Sequence, residues 1–285
     1  MRSLLKIDTK GEEINVIFLR PFSDEEYEEF AAPMRIESFH RTNMRMRSIV
    51  LKNGKELESF LVATKYKRSA YEEEDSLLLI EANRLLLNFL SSFTTFIDHC
   101  SKQYSIHLTK LKKDFQKRDS YYFDEYFEYR FFKQMRNIIS HIAFPLTKIR
   151  SNKEGFHILL DKKELLKFDW KRVVNADLET LEETVDITPM ISSLCRQVES
   201  LSYDVMYDYK EKIIEAIYAY NKVYKEVQGS FGFTEYGSLE EFITADSPKI
   251  NPISIAEIKK AIQDLNTHPD INIKLVSKEP ADSIE

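Results

Sequence analysis

The sequence is poor in residues that mark several common kinds of functional site. It has 6 glycines and 2 cysteines among 285 residues. Cys100 and Cys195 lie far apart and no Cys-x-x-Cys pair occurs, which indicates neither a zinc site nor a disulfide framework. The glycine patterns Gly-x-x-x-x-Gly-Lys-Ser/Thr and Gly-x-Gly-x-x-Gly are absent, as are His-Glu-x-x-His and Gly-x-Ser-x-Gly. We therefore expect no phosphate-binding glycine loop, no metal and no cofactor.

Long apolar runs are also lacking. Residues 1–20 contain no apolar stretch of signal-peptide length. The most apolar segment, residues 77–97, is interrupted by polar side chains that include Glu81, Asn83 and Arg84. From these absences we expect a cytoplasmic protein with reduced thiols that does not cross a membrane.

Apolar and aromatic residues, in contrast, are abundant. Apolar residues make up 43% of the chain and aromatic residues 12%, with 19 Phe and 15 Tyr. Together with so few glycines, this composition favours long packed helices. We predict a mainly α-helical fold with minor β elements, namely an N-terminal strand over residues 13–20 and a short hairpin near residues 156–168. The length allows one large domain or two of ordinary size.

The spacing of apolar residues predicts the helices and a division into three regions. The predicted helices cover residues 57–67, 77–103, 121–142, 172–184, 187–228 and 254–265. Three of the six glycines fall between residues 229 and 237, which indicates a linker. We therefore divide the chain into a small N-terminal element (1–56), a helical domain with an inserted hairpin (57–228), and a C-terminal tail with one helix (229–285).

Charge is segregated along the chain, although the formal net charge is −6. Acidic residues collect at 24–29, 72–75 and 177–186, whereas basic residues collect at 35–55, 102–118 and 133–153. A locally positive segment suits a polyanion such as RNA, and it is equally consistent with a solvated basic face. The candidate RNA contacts are Lys110, Lys112, Lys113, Lys117 and Lys133.

A polar cluster with chemical potential lies near the end of the predicted helix 121–142. Its sequence is Arg136-Asn137-Ile138-Ile139-Ser140-His141, followed by Pro145, which is expected to end the helix. At about 100° per residue, the polar residues share one arc. That arc contains Lys133, Arg136, Asn137, Ser140 and His141, and the opposite face contains Met135, Ile138, Ile139 and Ile142.

Two observations show that the arginine–histidine spacing alone does not identify a catalytic site. Arg35 and His40, and also Arg150 and His157, are spaced in a similar way but lack the helical setting. A solvated polar face also explains the arc, with Arg136 in a salt bridge and His141 capping the helix or hydrogen-bonded.

The segment nevertheless resembles the signature of the HEPN superfamily (higher eukaryotes and prokaryotes nucleotide-binding), in which arginine, a polar residue and three to five further residues precede a histidine. Arg136, Asn137 and His141 match this pattern, and the preceding aromatic run and the following Pro-Leu resemble uncharacterised bacterial members. The resemblance covers about residues 77–146 and implies a helical bundle. It also implies a homodimer in which two motif helices face each other, and a metal-independent endoribonuclease.

The chemistry implied by this resemblance suits the side chains. His141 could accept the ribose 2′-OH proton or protonate the leaving oxygen, and Arg136 could stabilise the phosphate charge. Asn137 could orient the phosphate or the histidine, with Ser140 as an accessory hydrogen-bonding group. Cleavage would leave 2′,3′-cyclic phosphate and 5′-OH ends. A toxin–antitoxin or antiphage role is implied, in which a protein inhibitor or activator could restrain the enzyme.

Two alternatives stay open. The chain could be a non-catalytic helical scaffold, since many HEPN domains serve in binding or dimerisation, with the motif helix and helix 187–228 making protein contacts. Asp98-His99-Cys100 invites a nucleophilic interpretation, but its position on an apolar helix favours core packing.

Overall fold

The computed structural model describes residues 2–65, 72–152 and 155–272. These residues form a mainly α-helical fold with small antiparallel sheets, which confirms the predicted fold class. In chain order the elements are β1 (Arg2–Lys10), β2 (Glu13–Phe22), α1 (Asp24–Lys65), α2 (Glu72–Ile106), α3 (Lys112–Glu125), α4 (Phe127–His141), β3 (Leu146–Asn152), β4 (Gly155–Asp161), α5 (Lys162–Leu165), α6 (Arg172–Thr180), β5 (Thr184–Val185), α7 (Thr188–Val227), β6 (Ser230–Thr234), α8 (Leu239–Thr244), β7 (Asn251–Ile253) and α9 (Ile255–Asn266). A short 3-10 turn, Thr109–Leu111, precedes α3.

The chain forms two compact units whose boundaries differ from the predicted ones. The first unit consists of residues 1–41 and 206–285, and the second of residues 42–205. The predicted boundary at residue 56 falls inside α1, and the described residues after 229 belong to the first unit. The reason is long-range pairing, because β6 runs antiparallel to β1 and joins the two ends of the chain in one sheet.

The first unit is built on a four-stranded antiparallel sheet in the order β2-β1-β6-β7. The predicted strand at residues 13–20 is confirmed as β2, which continues through Pro21 to Phe22. Proline is tolerated there because β2 is an edge strand of the sheet. The core of this unit packs one face of the sheet against helical side chains. It consists of Leu4, Phe22, Phe30, Tyr220, Val223, Val227, Phe231, Phe233 and Ile258.

The second unit has an aromatic core between α2 and α4. Phe93 and Tyr129 meet edge to face with ring centroids 5.1 Å apart, and Phe89 and Phe132 do the same at 6.0 Å. Such pairs add about 0.5–1.5 kcal/mol each beyond the burial of their surface. The abundance of phenylalanine and tyrosine in the sequence is thus used largely for packing.

The predicted hairpin is only half correct. Residues 156–160 lie in β4 as expected, but β4 pairs with β3, which precedes it, and at its end with β5, and not with residues 164–168. The turn after β4 is helical because the Asp161 carboxylate accepts hydrogen bonds from the N–H groups of Lys163 (2.8 Å) and Glu164 (3.4 Å). An aspartate in this N-cap position favours a helix start over a second strand.

Most predicted helices are present, although their bounds shift. The segments 187–228 and 254–265 are confirmed as α7 and α9, and residues 77–103 and 172–184 lie largely in α2 and α6. The segment 57–65 is the end of the much longer α1, and residues 66 and 67 lie outside the described part of the chain. Within the described residues, no helix combines the length and the apolar character needed to cross a membrane.

Gly54 provides a test of helix packing in the second unit. A Cβ added there would lie 2.6 Å from Cys195 Sγ and 2.9 Å from Phe89 Cε2, so α1 approaches its neighbours closely at this point. Glycine to alanine in an open helix would stabilise by about 1 kcal/mol. We expect Gly54→Ala to lower the free energy of unfolding by about 1–3 kcal/mol instead, because the core is overpacked. Urea denaturation measures this, and a stabilised variant would contradict the packing described here.

Candidate functional site

The helix that carries the motif is shorter than predicted. The periodic segment 121–142 is two helices, since α3 ends at Glu125 and α4 starts at Phe127. Between them Tyr126 is extended, with φ −112° and ψ 116°. Apolar spacing continues across this break, which is why the sequence pattern did not reveal it.

Arg130 accounts for the break. Its buried guanidinium donates from Nη1 to the carbonyl oxygens of Phe123 (3.3 Å) and Asp124 (2.9 Å), which belong to the last turn of α3. The other edge of the same guanidinium binds Asp177 of α6 in a bidentate ion pair, with distances of 2.6 and 3.0 Å. The hydrogen bonds to Asp177 raise the pKa of Arg130. One side chain therefore satisfies the end of α3 and fixes the start of α4.

The motif residues occupy the surface side of α4 as the sequence predicted. Met135, Ile138 and Ile139 are buried. On the other arc, Asn137, Ser140 and His141 are exposed and Arg136 is half-buried. Helix α4 thus presents the polar part of the motif outwards on a well-anchored element.

Ile142 departs from the prediction. It was expected to extend the buried stripe, but it is 65% exposed. Helix α4 ends at His141, and Ile142 has φ −128° and ψ −63°, so its side chain no longer follows the helical repeat. His141 is therefore the last helical residue, four positions before Pro145.

Arg136 contacts its neighbour and retains an unused donor. Its Nη1 donates to the side-chain oxygen of Asn137 at 3.3 Å. Its Nε is buried and has no hydrogen-bond partner within the described residues. Nor does any described carboxylate pair with it, in contrast to the salt bridge considered for a purely solvated face. A buried guanidinium N–H without an acceptor is costly to the folded state.

The loop after the motif, residues 142–145, is held at both ends. At its start, the N–H groups of Ile142 and Ala143 both donate to the carbonyl oxygen of Ile138, at 2.8 and 3.2 Å. At its end, the Asn83 side chain donates to the carbonyl of Leu146 (2.8 Å) and accepts from its N–H (3.2 Å). The loop therefore has little freedom to reposition the side chains that it carries.

Lys133 lies in a different environment from the one expected for an RNA contact. Its Nζ donates to both carboxylate oxygens of Asp119, at 2.7 and 2.9 Å, and lies 5.4 Å from the centre of the Tyr129 ring. Tyr129 also donates to Asp119, at 2.7 Å. The positive charge of Lys133 is thus compensated within the fold, which weakens its case as a phosphate ligand.

The other four lysines are exposed at the start of α3. Lys117 has an ion-pair partner, Asp114, at 3.7 Å, and such an exposed pair contributes little to stability.

Three contacts show the relative direction of α3 and α4. They join Tyr122 with Tyr129, Phe123 with Arg130, and Asp119 with Lys133. In each pair, the two partners lie at nearly equal distances along the chain on either side of Tyr126, so α3 and α4 run antiparallel.

Of the two other arginine–histidine pairs found by spacing, Arg35 and His40 lie within α1, so the expectation that this pair lacks a helical setting is wrong. In the first unit, Arg35 binds Glu28 at 2.5 and 2.8 Å. His40 is buried and lies 3.0 Å from the Tyr209 hydroxyl and 3.3 Å from the Asp264 carboxylate. These groups are part of the packed interior of that unit.

In the second unit, Arg150 and His157 are directly opposed on β3 and β4. Arg150 is exposed and His157 is half-buried. This pair resembles the motif in residue type but not in its helical setting, and it therefore provides a matched control.

Asp98-His99-Cys100 is not arranged for nucleophilic chemistry. Cys100 is fully buried and its Sγ donates to Asn43 at 3.2 Å. Burial raises the pKa of the Cys100 thiol strongly, and burial also lowers the pKa of His99. The site disfavours the thiolate, which is the form that attacks.

The remaining cofactor question concerns metal ligands. In the parts of the chain that the structure describes, no three His, Cys, Asp or Glu side chains are grouped so that they could hold a metal ion. Comparisons with protein-family models, with curated proteins and with solved structures found no match.

The contact between Asn83 and Leu146 can be tested directly. Asn83→Leu keeps the size of the side chain but leaves the buried N–H and C=O of Leu146 unpaired. We expect the free energy of unfolding to fall by about 2–4 kcal/mol and protease cleavage within residues 142–145 to accelerate. Asn88→Leu, on the exposed side of the same helix, should change stability by less than about 0.5 kcal/mol. Equal stability of the two variants would contradict the role given to Asn83.

Cysteine reactivity tests the exclusion of Cys100 as a nucleophile. Burial raises the pKa of Cys195 to about 11, and Cys100 is more deeply buried still. We expect both thiols of the native protein to react slowly with a disulfide reagent at pH 8 and quickly in urea. Rapid modification of Cys100 in the native protein would overturn this view.

Proposed function

We propose that the protein is a metal-independent endoribonuclease of HEPN type that acts as a homodimer in the cytoplasm, in a toxin–antitoxin or antiphage system. The observation that carries the proposal is the arrangement on α4, where a half-buried Arg136 without a described carboxylate partner shares an outward arc with the exposed Asn137 and His141. The match to the HEPN signature supplies the reaction, since the arrangement by itself suits any phosphate ester.

Each side chain has a defined role in this proposal. His141 takes the proton from the ribose 2′-OH, and the resulting oxygen attacks the adjacent phosphorus while the bond to the 5′-oxygen breaks. Arg136 stabilises the charge that builds up on the phosphate oxygens. Asn137 holds the Arg136 guanidinium through the 3.3 Å contact, and Ser140 is an accessory hydrogen-bonding group. The products are 2′,3′-cyclic phosphate and 5′-OH ends.

The homodimer would supply the second histidine that the cleavage reaction requires. Cleavage requires a proton acceptor at the 2′-oxygen and a proton donor at the 5′-oxygen, and one α4 supplies a single histidine near its end. Two copies with their α4 arcs facing each other would bring two arginines and two histidines to one phosphate. The outward exposure of Asn137, Ser140 and His141 supports this arrangement.

The lysines of α3 are proposed to contact RNA beyond the cleaved bond. Lys110, Lys112 and Lys113 are exposed, and α3 runs antiparallel to the motif helix α4. Such contacts to phosphate oxygens make binding weaken with added salt. A protein inhibitor or activator would act by covering or completing this surface.

Cleavage of RNA in the presence of EDTA tests the proposal. Purified wild-type protein should cut total RNA or tRNA, while Arg136→Ala and His141→Ala should each lose about 100-fold or more of that activity, because general acid–base catalysis contributes about 10²–10⁴-fold. Arg150→Ala and His157→Ala, which remove the pair of similar spacing on the hairpin, should cut as the wild type does.

The controls decide between the enzyme and the scaffold. All four variants should keep the wild-type circular dichroism and the dimer mass, since their side chains are at least partly exposed. Equal activity in wild type, Arg136→Ala and His141→Ala would reject the catalytic assignment. RNA left uncut by the wild type, together with loss of the dimer in the α4 variants, would instead favour the scaffold. A charge placed at Ile138 or Met206 would not test the scaffold, because both side chains are buried and the change would unfold the protein.

A further inference from the structure

The sheet of the first unit has a long edge strand. In the order β2-β1-β6-β7, β2 pairs with β1 on one side, and no further strand of the described chain lies on its other side. The opposite edge, β7, has three residues, whereas β2 has ten. An edge strand presents a row of N–H and C=O groups to which another strand can pair. β2 is therefore the longer of the two places where this sheet can be extended.

The middle of β2 lacks the features that usually protect an edge strand. Natural edges carry charged residues, proline or a bulge. In β2 these features occur only near the ends, where Glu13 begins the strand, Leu19 is the extra residue of a bulge, and Pro21 follows. Residues 14–18 pair regularly with β1 and contain no charge and no proline. Ile14 is 68% exposed and Ile17 44%, so the open part of the edge is also apolar.

A cavity lies beside the other end of β2. It is formed by β2, the first turns of α1 and the end of α7, all within the first unit, and its volume is about 160 Å³. Sites for small molecules usually measure about 300–1,000 Å³, so this cavity suits a single side chain. Arg20 and Phe22 of β2 line it. Because opposed residues on neighbouring strands share a face of the sheet, a strand added next to β2 would direct a side chain towards the cavity.

The rim of the cavity favours a basic side chain. Glu26, Glu29 and Glu226 line it together with Arg20 and Lys222, which gives three negative and two positive groups. Arg20 already donates to Glu226 (2.6 and 3.3 Å) and to Glu26 (3.2 and 3.3 Å). Glu29 lies 3.9 Å from Lys222, in a pair so exposed that it is weak. Glu29 can therefore accept a lysine or an arginine from a partner.

A second copy of this chain fits the edge less well. In a symmetric dimer joined through β2, the two strands would run antiparallel. Glu12 and Glu13 of one copy would then lie near the Arg20 end of the other, beside the acidic rim. Arg20 is already neutralised there, and like charges placed side by side across an interface are costly.

We propose that β2 is a docking edge for an extended, basic segment of a partner protein. The segment pairs with β2 as an additional strand, contacts Ile14 and Ile17 with apolar side chains, and places one lysine or arginine in the cavity beside Glu29. In this mode of recognition the main-chain hydrogen bonds provide affinity and the pocket provides specificity. The proposal does not depend on the ribonuclease assignment, because β2 and the motif lie in different units.

Selection of peptides on the full-length protein tests the proposal. A phage-displayed library of random peptides of about ten residues is used, since a strand of that length spans β2. We expect the enriched peptides to alternate β-branched or aromatic residues with other residues and to contain a lysine or an arginine. The most enriched peptide is then synthesised with a fluorescein label, and its affinity is measured by fluorescence anisotropy.

Variants of the protein and of the peptide separate the two parts of the site. Ile17→Lys, which places a charge on the edge, and Glu29→Lys, which reverses the charge at the cavity, should each weaken binding about tenfold or more. A peptide in which glutamate replaces the basic residue should regain affinity for Glu29→Lys. Methylation of alternate peptide N–H groups should weaken binding about tenfold in one of the two possible patterns, because it removes main-chain hydrogen bonds.

Ile243→Lys provides the matched control. Ile243 lies on α8 of the same unit, is 68% exposed like Ile14, and lines neither β2 nor the cavity. This variant adds the same charge as Ile17→Lys and should bind the peptide as the wild type does. Circular dichroism shows whether each variant keeps the wild-type fold.

Several results would overturn the proposal. Failure to enrich any peptide, enrichment of acidic peptides, or equal binding of a selected peptide to wild type, Ile17→Lys and Glu29→Lys would each contradict it. A smaller mass of Ile17→Lys in light scattering would assign the edge to a second copy of the chain. Slow hydrogen exchange of every amide in residues 14–18 before peptide is added would mean that the chain covers its own edge.

Discussion

The second unit depends most on the buried guanidinium of Arg130. It satisfies two carbonyl groups at the end of α3 and binds the Asp177 carboxylate of α6, so three helices meet at one side chain. Removing one partner of this partly buried ion pair would be destabilising, because it would leave the other charge without compensation. The orientation of α4, and with it the outward direction of the motif, follows from this contact. A second polar contact, between Asn83 and Leu146, fixes the chain just beyond the motif.

The sequence revealed features that depend on local periodicity. The mainly helical fold, α7, α9 and the division of α4 into a buried and a polar arc all follow from the spacing of residues such as Met135 and Ile138. Helical geometry converts that spacing directly into faces, without knowledge of the partners. The outward position of Asn137 and His141 could therefore be predicted, and the structure agrees.

Features that depend on distant partners could not be predicted in this way. β1 and β6 are more than 200 positions apart, and the local sequence of neither strand identifies the other as its partner. The break at Tyr126 depends on the hydrogen bonds of Arg130. In the sequence, Arg130 lies within the aromatic run before the motif, and nothing nearby identifies its partners. Likewise Asn83 was noted as an interruption of an apolar segment, whereas its amide binds a backbone 63 positions away. Buried polar residues in apolar helices were the available signal for both contacts.

At the candidate site, a rigid helix end and loop carry side chains whose polar groups are not all hydrogen-bonded. The helix end and the loop after it are fixed, while Arg136 has an unused donor and His141 and Phe144 are exposed. The proposed substrate, an RNA strand, would bring anionic phosphates to this surface. The most direct measurement is mass spectrometry of the RNA ends after incubation with the wild-type protein in EDTA. The account predicts 2′,3′-cyclic phosphate and 5′-OH ends, whereas 3′-OH and 5′-phosphate ends, or uncut RNA, would contradict it.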